Sequence, residues 1–245
     1  RETLRRAGAD SSWHSYVTGR SPLDLDTRQL TTEDSRRGEL QLLPFTFVIL
    51  VLAFGALVAA LLPILIGVMA IAVSLAIVGA LTPFMSMSIF VLTIATMIGL
   101  GVGIDYSLLM VTRFREELGR GLNRRDAAIN TILTAGGAVV TSGLTVVVGF
   151  AALLWTPLVE TRSVGVGGLI VVAVAVLLAV TLLPAMLAVM GKNIDRPRRL
   201  ARKLAWYHSP LIWEKWARSL SRHPWRALTL GGLAVGLLTL PLFWI

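Results

Sequence analysis

The chain has 245 residues, of which 55% are hydrophobic and 15% charged, and its mean hydropathy of +0.75 lies far above globular norms, so lipid must be the solvent for much of it. It contains no cysteine, which excludes a disulfide framework, thiolate metal ligation and a cysteine nucleophile. The formal charge of +9 does not point to a nucleic-acid partner, because the basic residues avoid the apolar blocks and gather between them, as suits a membrane surface.

Residues 1–40 carry seven Lys/Arg and seven Asp/Glu and read as the C-terminal end of a soluble extracytoplasmic domain, too short to fold alone. A spanning helix needs about 20 mainly apolar residues, since roughly 30 Å of hydrocarbon is crossed at about 1.5 Å per residue. The stretch from Leu43 to Leu81 is apolar for nearly twice that length and is expected to fold back as two spans. The turn is best placed near Ala60-Leu61-Leu62-Pro63, because Pro63 lacks an amide hydrogen and suits the first turn of a new helix. A third span is expected from Ser88 to Thr112, a fourth from Thr131 to Leu154 and a fifth from Val164 to Met190, with Trp155-Thr156-Pro157 turning between the last two. Residues 41–191 would then be a bundle of five spans, 192–225 a basic linker, and 226–245 a sixth span through the apolar block Ala227 to Ile245. The expected fold class is an all-α integral membrane protein with a six-helix transmembrane bundle. The chain opens on Arg1-Glu2 and closes within an apolar stretch, which reads as a piece of a larger protein.

Orientation follows from Lys and Arg in the loops. Arg113, Arg115, Arg120, Arg124 and Arg125 lie between the third and fourth spans, and the linker from Lys192 to Arg226 carries ten basic residues; both regions are expected on the cytoplasmic side. The loops Thr82 to Met87 and Trp155 to Ser163 share a single Arg162 and fall on the opposite side. Within the linker, Leu200, Leu204 and Tyr207, then Ile212, Trp216 and Leu220, recur at helical spacing against Arg and Lys. That pattern fits an interfacial amphipathic helix broken near Pro210, with Trp206, Trp213, Trp216 and Trp225 at headgroup level. Such a segment either captures lipid or links two helical bundles along the membrane surface.

Chemistry concentrates in the third span, at Gly99-Leu100-Gly101-Val102-Gly103-Ile104-Asp105-Tyr106. Eight residues separate Asp105 from Arg113, about 12 Å at the helical rise, which puts the carboxyl near the bilayer midplane. An ionised Asp there costs several kcal/mol unless it is paired or faces water, so it is neutral when dry and charged when a partner or water reaches it. Proton coupling uses that alternation; a permanently protonated Asp bonding across helices is the plainer reading, although a Ser or Asn would do that at less cost. Gly99 and Gly103 stand at small-xxx-small spacing with Gly101 one turn before Asp105, so all three are expected to let a neighbouring backbone pack around the carboxylate. In the fourth span, Thr141, Ser142 and Thr145 lie at half height, and Ser142 either offers a hydroxyl to Asp105 or bonds back to its own helix. Arg113, Arg115, Glu116 and Glu117 read as a charged helix end. His14, His208 and His223 all lie outside the spans and form no metal cluster, and no phosphate loop or nucleophile motif is present.

The run Gly101 to Leu109, followed by Arg113-Phe114-Arg115-Glu116-Glu117-Leu118, resembles the fourth transmembrane helix of MMPL transporters in the resistance-nodulation-division (RND) superfamily. Thr141-Ser142-Gly143-Leu144-Thr145 is similar to that family's fifth helix, Phe54 to Pro63 to the junction of its second and third, and Leu182-Leu183-Pro184-Ala185 to the end of its sixth. The resemblance covers roughly residues 36–195. It implies part of an RND-type transmembrane domain in the bacterial inner membrane, with residues 1–40 the end of a porter-like domain. It also implies export of lipids or other hydrophobic molecules, driven by the proton motive force without a cofactor. In such transporters an Asp-Tyr pair of the fourth helix faces a second pair in the tenth, beside a fifth-helix Ser; Asp105, Tyr106 and Ser142 match those positions. The implied partners are membrane lipids, a hydrophobic substrate and the missing second half of the transporter.

Two other classes remain open on the residues. Intramembrane aspartyl proteases also set glycines beside a catalytic Asp, but Gly101-x-Gly103-x-Asp105 is one residue longer than their Gly-x-Gly-Asp, and no second intramembrane Asp completes a dyad. A sterol-sensing or protein-translocation relative of the same superfamily would share these helices.

Overall fold

A computed structural model describes residues 38, 43–88, 90–195 and 210–240 of the chain. All the regular structure among the described residues is helical. Helix α1 runs Leu43–Phe54, α2 Leu57–Leu81, α3 Phe90–Gly119 and α4 Arg124–Trp155. Helix α5 runs Val159–Val180, α6 Leu182–Met190, α7 Pro210–Arg222 and α8 Pro224–Thr239. Four helical stretches are long and apolar enough to cross a membrane: α2, α3, α4 and the run Val159–Asp195 that contains α5 and α6. The expected first and sixth spans correspond to the shorter α1 and α8, and residues 39–42 and 241–245 that adjoin them lie outside the described residues. So do nearly all of residues 1–40 and the linker residues Leu200, Leu204, Tyr207 and Trp206. Helix α7 begins at Pro210, where the linker helix is expected to break.

The first turn differs from the sequence expectation. The chain reverses at Gly55-Ala56, five residues before Ala60: Gly55 takes φ +65, in the left-handed region that only glycine enters freely, and Ala56 is extended. Pro63 is therefore not at a helix start but buried inside α2. A proline within a spanning helix is tolerated because packed neighbours re-satisfy the freed carbonyl. The continuous apolar run hides the turn, and a glycine's backbone freedom outweighs a proline's preference for a first turn.

Two further irregularities follow from local chemistry. Thr181 departs from helical geometry between α5 and α6, three residues before Pro184, whose ring nitrogen cannot donate to the carbonyl one turn earlier. Helix α4 contains a π-helical turn at Ile132–Gly136. Such turns are rare and store a local displacement of the helix face.

The spans alternate in direction, so loops meet at each end. At one end Arg115 Nε pairs with Asp195 at 2.9 Å, and the same guanidinium donates from NH1 to the Phe54 carbonyl at the end of α1, also at 2.9 Å. That donation satisfies a carbonyl left open where the helix stops. At the other end the Ser88 amide donates to Ser163 Oγ at 2.9 Å. The first Arg-rich region and the described start of the second, Lys192 to Asp195, thus share one end and the two Arg-poor loops share the other, as an alternating topology requires.

Small residues set the closeness of the core. A Cβ on Gly103 would lie 2.6 Å from Gly67 Cα, so α2 and α3 cross glycine on glycine. A Cβ on Gly99 would meet Val171 and Ile71 below 3 Å, and one on Gly167 would meet Val91 at 2.4 Å, which draws α5 against α2 and α3. Without a hydrophobic driving force in lipid, such contact is the main source of helix association. Helix α4 is the exception: 11% of its span is buried, against 39% to 44% for the other three. It lies at the edge of the bundle.

Candidate functional site

The α3 segment that crosses Gly67 also carries the acid. Its buried side includes Gly99, Gly103, Tyr106, Ser107 and Met110, whereas Gly101, Asp105, Leu109 and Thr112 follow one another at helical spacing on its exposed side. Asp105, expected as a buried carboxylate, is therefore exposed in this bundle; adjacent residues on a helix point about 100° apart, and Gly99 and Gly103, two of the three glycines it was read with, face the other way. Gly101 joins it on the open side, with nothing within 4 Å of where a Cβ would stand, so it is not among the glycines that pack. Among the described residues Asp105 has no ion pair or side-chain hydrogen bond.

Tyr106 turns inward. It is 9% exposed, and its hydroxyl lies 3.5 Å from the position of a Cβ on Gly143, the residue after Ser142. The phenol thus docks α3 onto α4 at the missing side chain of a glycine. Ser142 itself is exposed. Thr141 donates to the Gly137 carbonyl and Thr145 to the Thr141 carbonyl, both at 3.0 Å, but Ser142 makes no such bond among the described residues. Its hydroxyl keeps its donor for another partner. Ser107, buried, is committed to the Gly103 carbonyl at 2.6 Å. The structure brings Tyr106 to the Ser142-Gly143 backbone and leaves Asp105 and Ser142 on open faces of α3 and α4; none of the three hydrogen-bonds another.

Below this constellation lies an ionic cluster richer than a charged helix end. Glu117 is 2% exposed, and its Oε1 accepts from Arg113 and Arg120 at 2.7 Å each, while Asn130 of α4 reaches Oε2 at 3.4 Å. Arg113 also donates from Nε to Thr134 Oγ1, on the π turn, at 3.1 Å. The spacing of Arg113, Glu117 and Arg120, at i, i+4 and i+7, was a readable signal for the pairs within α3. The partners on α4 and Asp195 carry no sequence signature. No group of His, Cys, Asp and Glu able to hold a metal ion occurs among the described residues.

A profile of the MMPL family matches residues 1–226. The chain belongs to the MMPL family. A mycolic acid-containing lipids exporter MmpL11 of Mycolicibacterium smegmatis is 34% identical over 238 residues, covering 93% of this chain and 24% of the relative. A trehalose monomycolate exporter MmpL3 of the same organism is 35% identical over 179 residues, 73% of this chain and 18% of the relative. A heme uptake protein MmpL11 of Mycobacterium tuberculosis is 32% identical over 217 residues, 86% of this chain and 22% of the relative. The chain spans about a quarter of the length of the first of these relatives. As an MMPL chain with four long apolar spans, it is a multi-pass membrane protein of the bacterial inner membrane.

Proposed function

We propose that the complete MMPL protein exports lipids or other hydrophobic molecules across the bacterial inner membrane at the expense of the proton gradient, with Asp105, Tyr106 and Ser142 as its relay. The observation that carries this reading is the setting of Asp105: an ionisable side chain at mid-span, on a face its own bundle leaves open, with no charge partner among the described residues. A charged carboxylate on that face is costly against lipid and acceptable against water or a partner, so its protonation state distinguishes two environments. Proton uptake and release would then bias the complete protein between two arrangements. Tyr106 fixes the spacing of α3 and α4 beside the carboxylate, and Ser142 supplies a hydroxyl with its donor free. The lipid cargo rests on the names borne by the MmpL11 and MmpL3 relatives. One relative is named for heme uptake, so the direction of transport is measured separately from coupling.

The test uses the complete transporter in liposomes with an imposed pH gradient, assayed for labelled-lipid movement in both directions. Asp105→Asn, nearly isosteric but unable to release a proton, is expected to insert normally and lose gradient-driven transport. Wild-type rates from that variant would return Asp105 to a hydrogen-bonding role.

A further inference from the structure

At the Arg-rich end of the bundle a cleft of about 520 Å³ opens between the turn joining α3 to α4 and the C-terminal end of α6. Asn123, Arg124, Lys192 and Asn193 form its polar side, and Leu122 and Met190 contribute apolar surface. Backbone geometry shapes it. Gly191 ends α6 with φ +52, and a Cβ there would lie 3.3 Å from Arg124 Cδ and 3.4 Å from its Cβ. The aliphatic stem of Arg124 therefore lies along the glycine, which fixes where the guanidinium emerges.

The charges around the cleft are unevenly committed. Glu117 is taken by Arg113 and Arg120, Glu116 by Arg113, Asp195 by Arg115, and Asp126 accepts from the Asn123 amide at 2.6 Å. Asn123 Oδ1 is used as well, accepting from the amides of Arg125 and Asp126 to cap α4. Arg124 and Lys192 have no ion pair among the described residues. What the cleft offers is two uncompensated cations and the Asn193 amide beside apolar surface. The cations favour an anion, the forked guanidinium matches tetrahedral oxygens, and the location at the end of the spans gives access from the headgroup layer.

We propose that this cleft binds a phosphate group, as carried by an anionic lipid headgroup or by free phosphate, separately from the relay around Asp105. The complete transporter in phosphatidylcholine nanodiscs doped with phosphatidylglycerol, with retained lipids counted by native mass spectrometry, tests it. Wild type is expected to retain phosphatidylglycerol preferentially, and Arg124→Gln with Lys192→Gln to cut that preference roughly tenfold or more, the effect of losing two charge-assisted hydrogen bonds to the phosphate. A control pair outside the cleft, Arg125→Gln with Arg222→Gln, removes the same charge and is expected to leave retention intact. Asn193→Trp, which fills the cleft without changing charge, is expected to lower it. Displacement by millimolar inorganic phosphate would identify free phosphate as a second occupant, and lack of displacement a headgroup site; both support the cleft. Equal losses in the two charge pairs, or unchanged retention in Asn193→Trp, would reduce the effect to surface charge and overturn the proposal.

Discussion

Asp105 and Tyr106 are neighbours in sequence but point to different environments, and their expected roles separate accordingly. Asp105 carries a titratable group onto an open face, whereas Tyr106 reaches the backbone of α4 at Gly143. In the complete transporter, Asp105→Asn is expected to abolish gradient-driven transport with folding intact. Tyr106→Phe is expected to impair it strongly, because it removes a hydroxyl that could bond across the relay, and Ser142→Ala to cost less, because water can take the place of one exposed hydroxyl. Transport rates at matched expression check the order. Glycines give a second residue-scale test. Gly103→Ala pushes a methyl to 2.6 Å from Gly67 Cα, a backbone atom that cannot rotate away, and is expected to destabilise the α2–α3 crossing by about 1–3 kcal/mol. Gly101→Ala meets open space and is expected to leave the thermal stability of this chain unchanged. A comparable loss in both would show that the open side of α3 is covered.

At the scale of helices, the blocks that form α3, α4 and the α5–α6 run were legible because each is long enough to cross a bilayer and is bounded by Pro, Arg or a polar turn. The Leu43 to Leu81 block has no polar boundary, so its turn had to be chosen between Gly55 and Pro63, and the positive φ that decides it is a conformational fact. The π turn in α4 and the break at Thr181 are equally invisible to hydropathy. The residues proposed as a relay could be read as residue types at a depth, but not their directions, which depend on which side of α3 receives Gly67 and Val171. Orientation in the membrane is testable because the chain has no cysteine of its own. Phe84→Cys, in the Arg-poor loop at 84% exposure, is expected to react with an impermeant thiol reagent applied outside intact cells. Arg125→Cys, at the Arg-rich end, is expected to react only after permeabilisation. The opposite pattern would invert the topology.

For the whole molecule, the informative feature is the unevenness of cover. Helices α2, α3 and α5 pack through glycines into a core, yet α3 presents Asp105 and α4 presents Thr141, Ser142 and Thr145 without a neighbour among the described residues. A charged carboxylate is costly against hydrocarbon, so the proposed relay requires something that brings water or a hydrogen-bonding partner to that face. The first of the relatives is about four times as long as the segment it matches, which leaves ample chain to supply it. The 245-residue chain reconstituted alone is therefore expected to insert as a helical bundle but to show neither lipid movement nor proton flux in liposomes under a pH gradient. Co-reconstitution with the remainder of the protein as a separate polypeptide is expected to restore both, and Asp105→Asn in the shorter piece to remove them again. Coupled transport by the chain alone would mean that the relay is completed otherwise, and cross-linking between copies through a cysteine at Leu109, one turn from Asp105 on the open face, would identify a second copy as the missing cover.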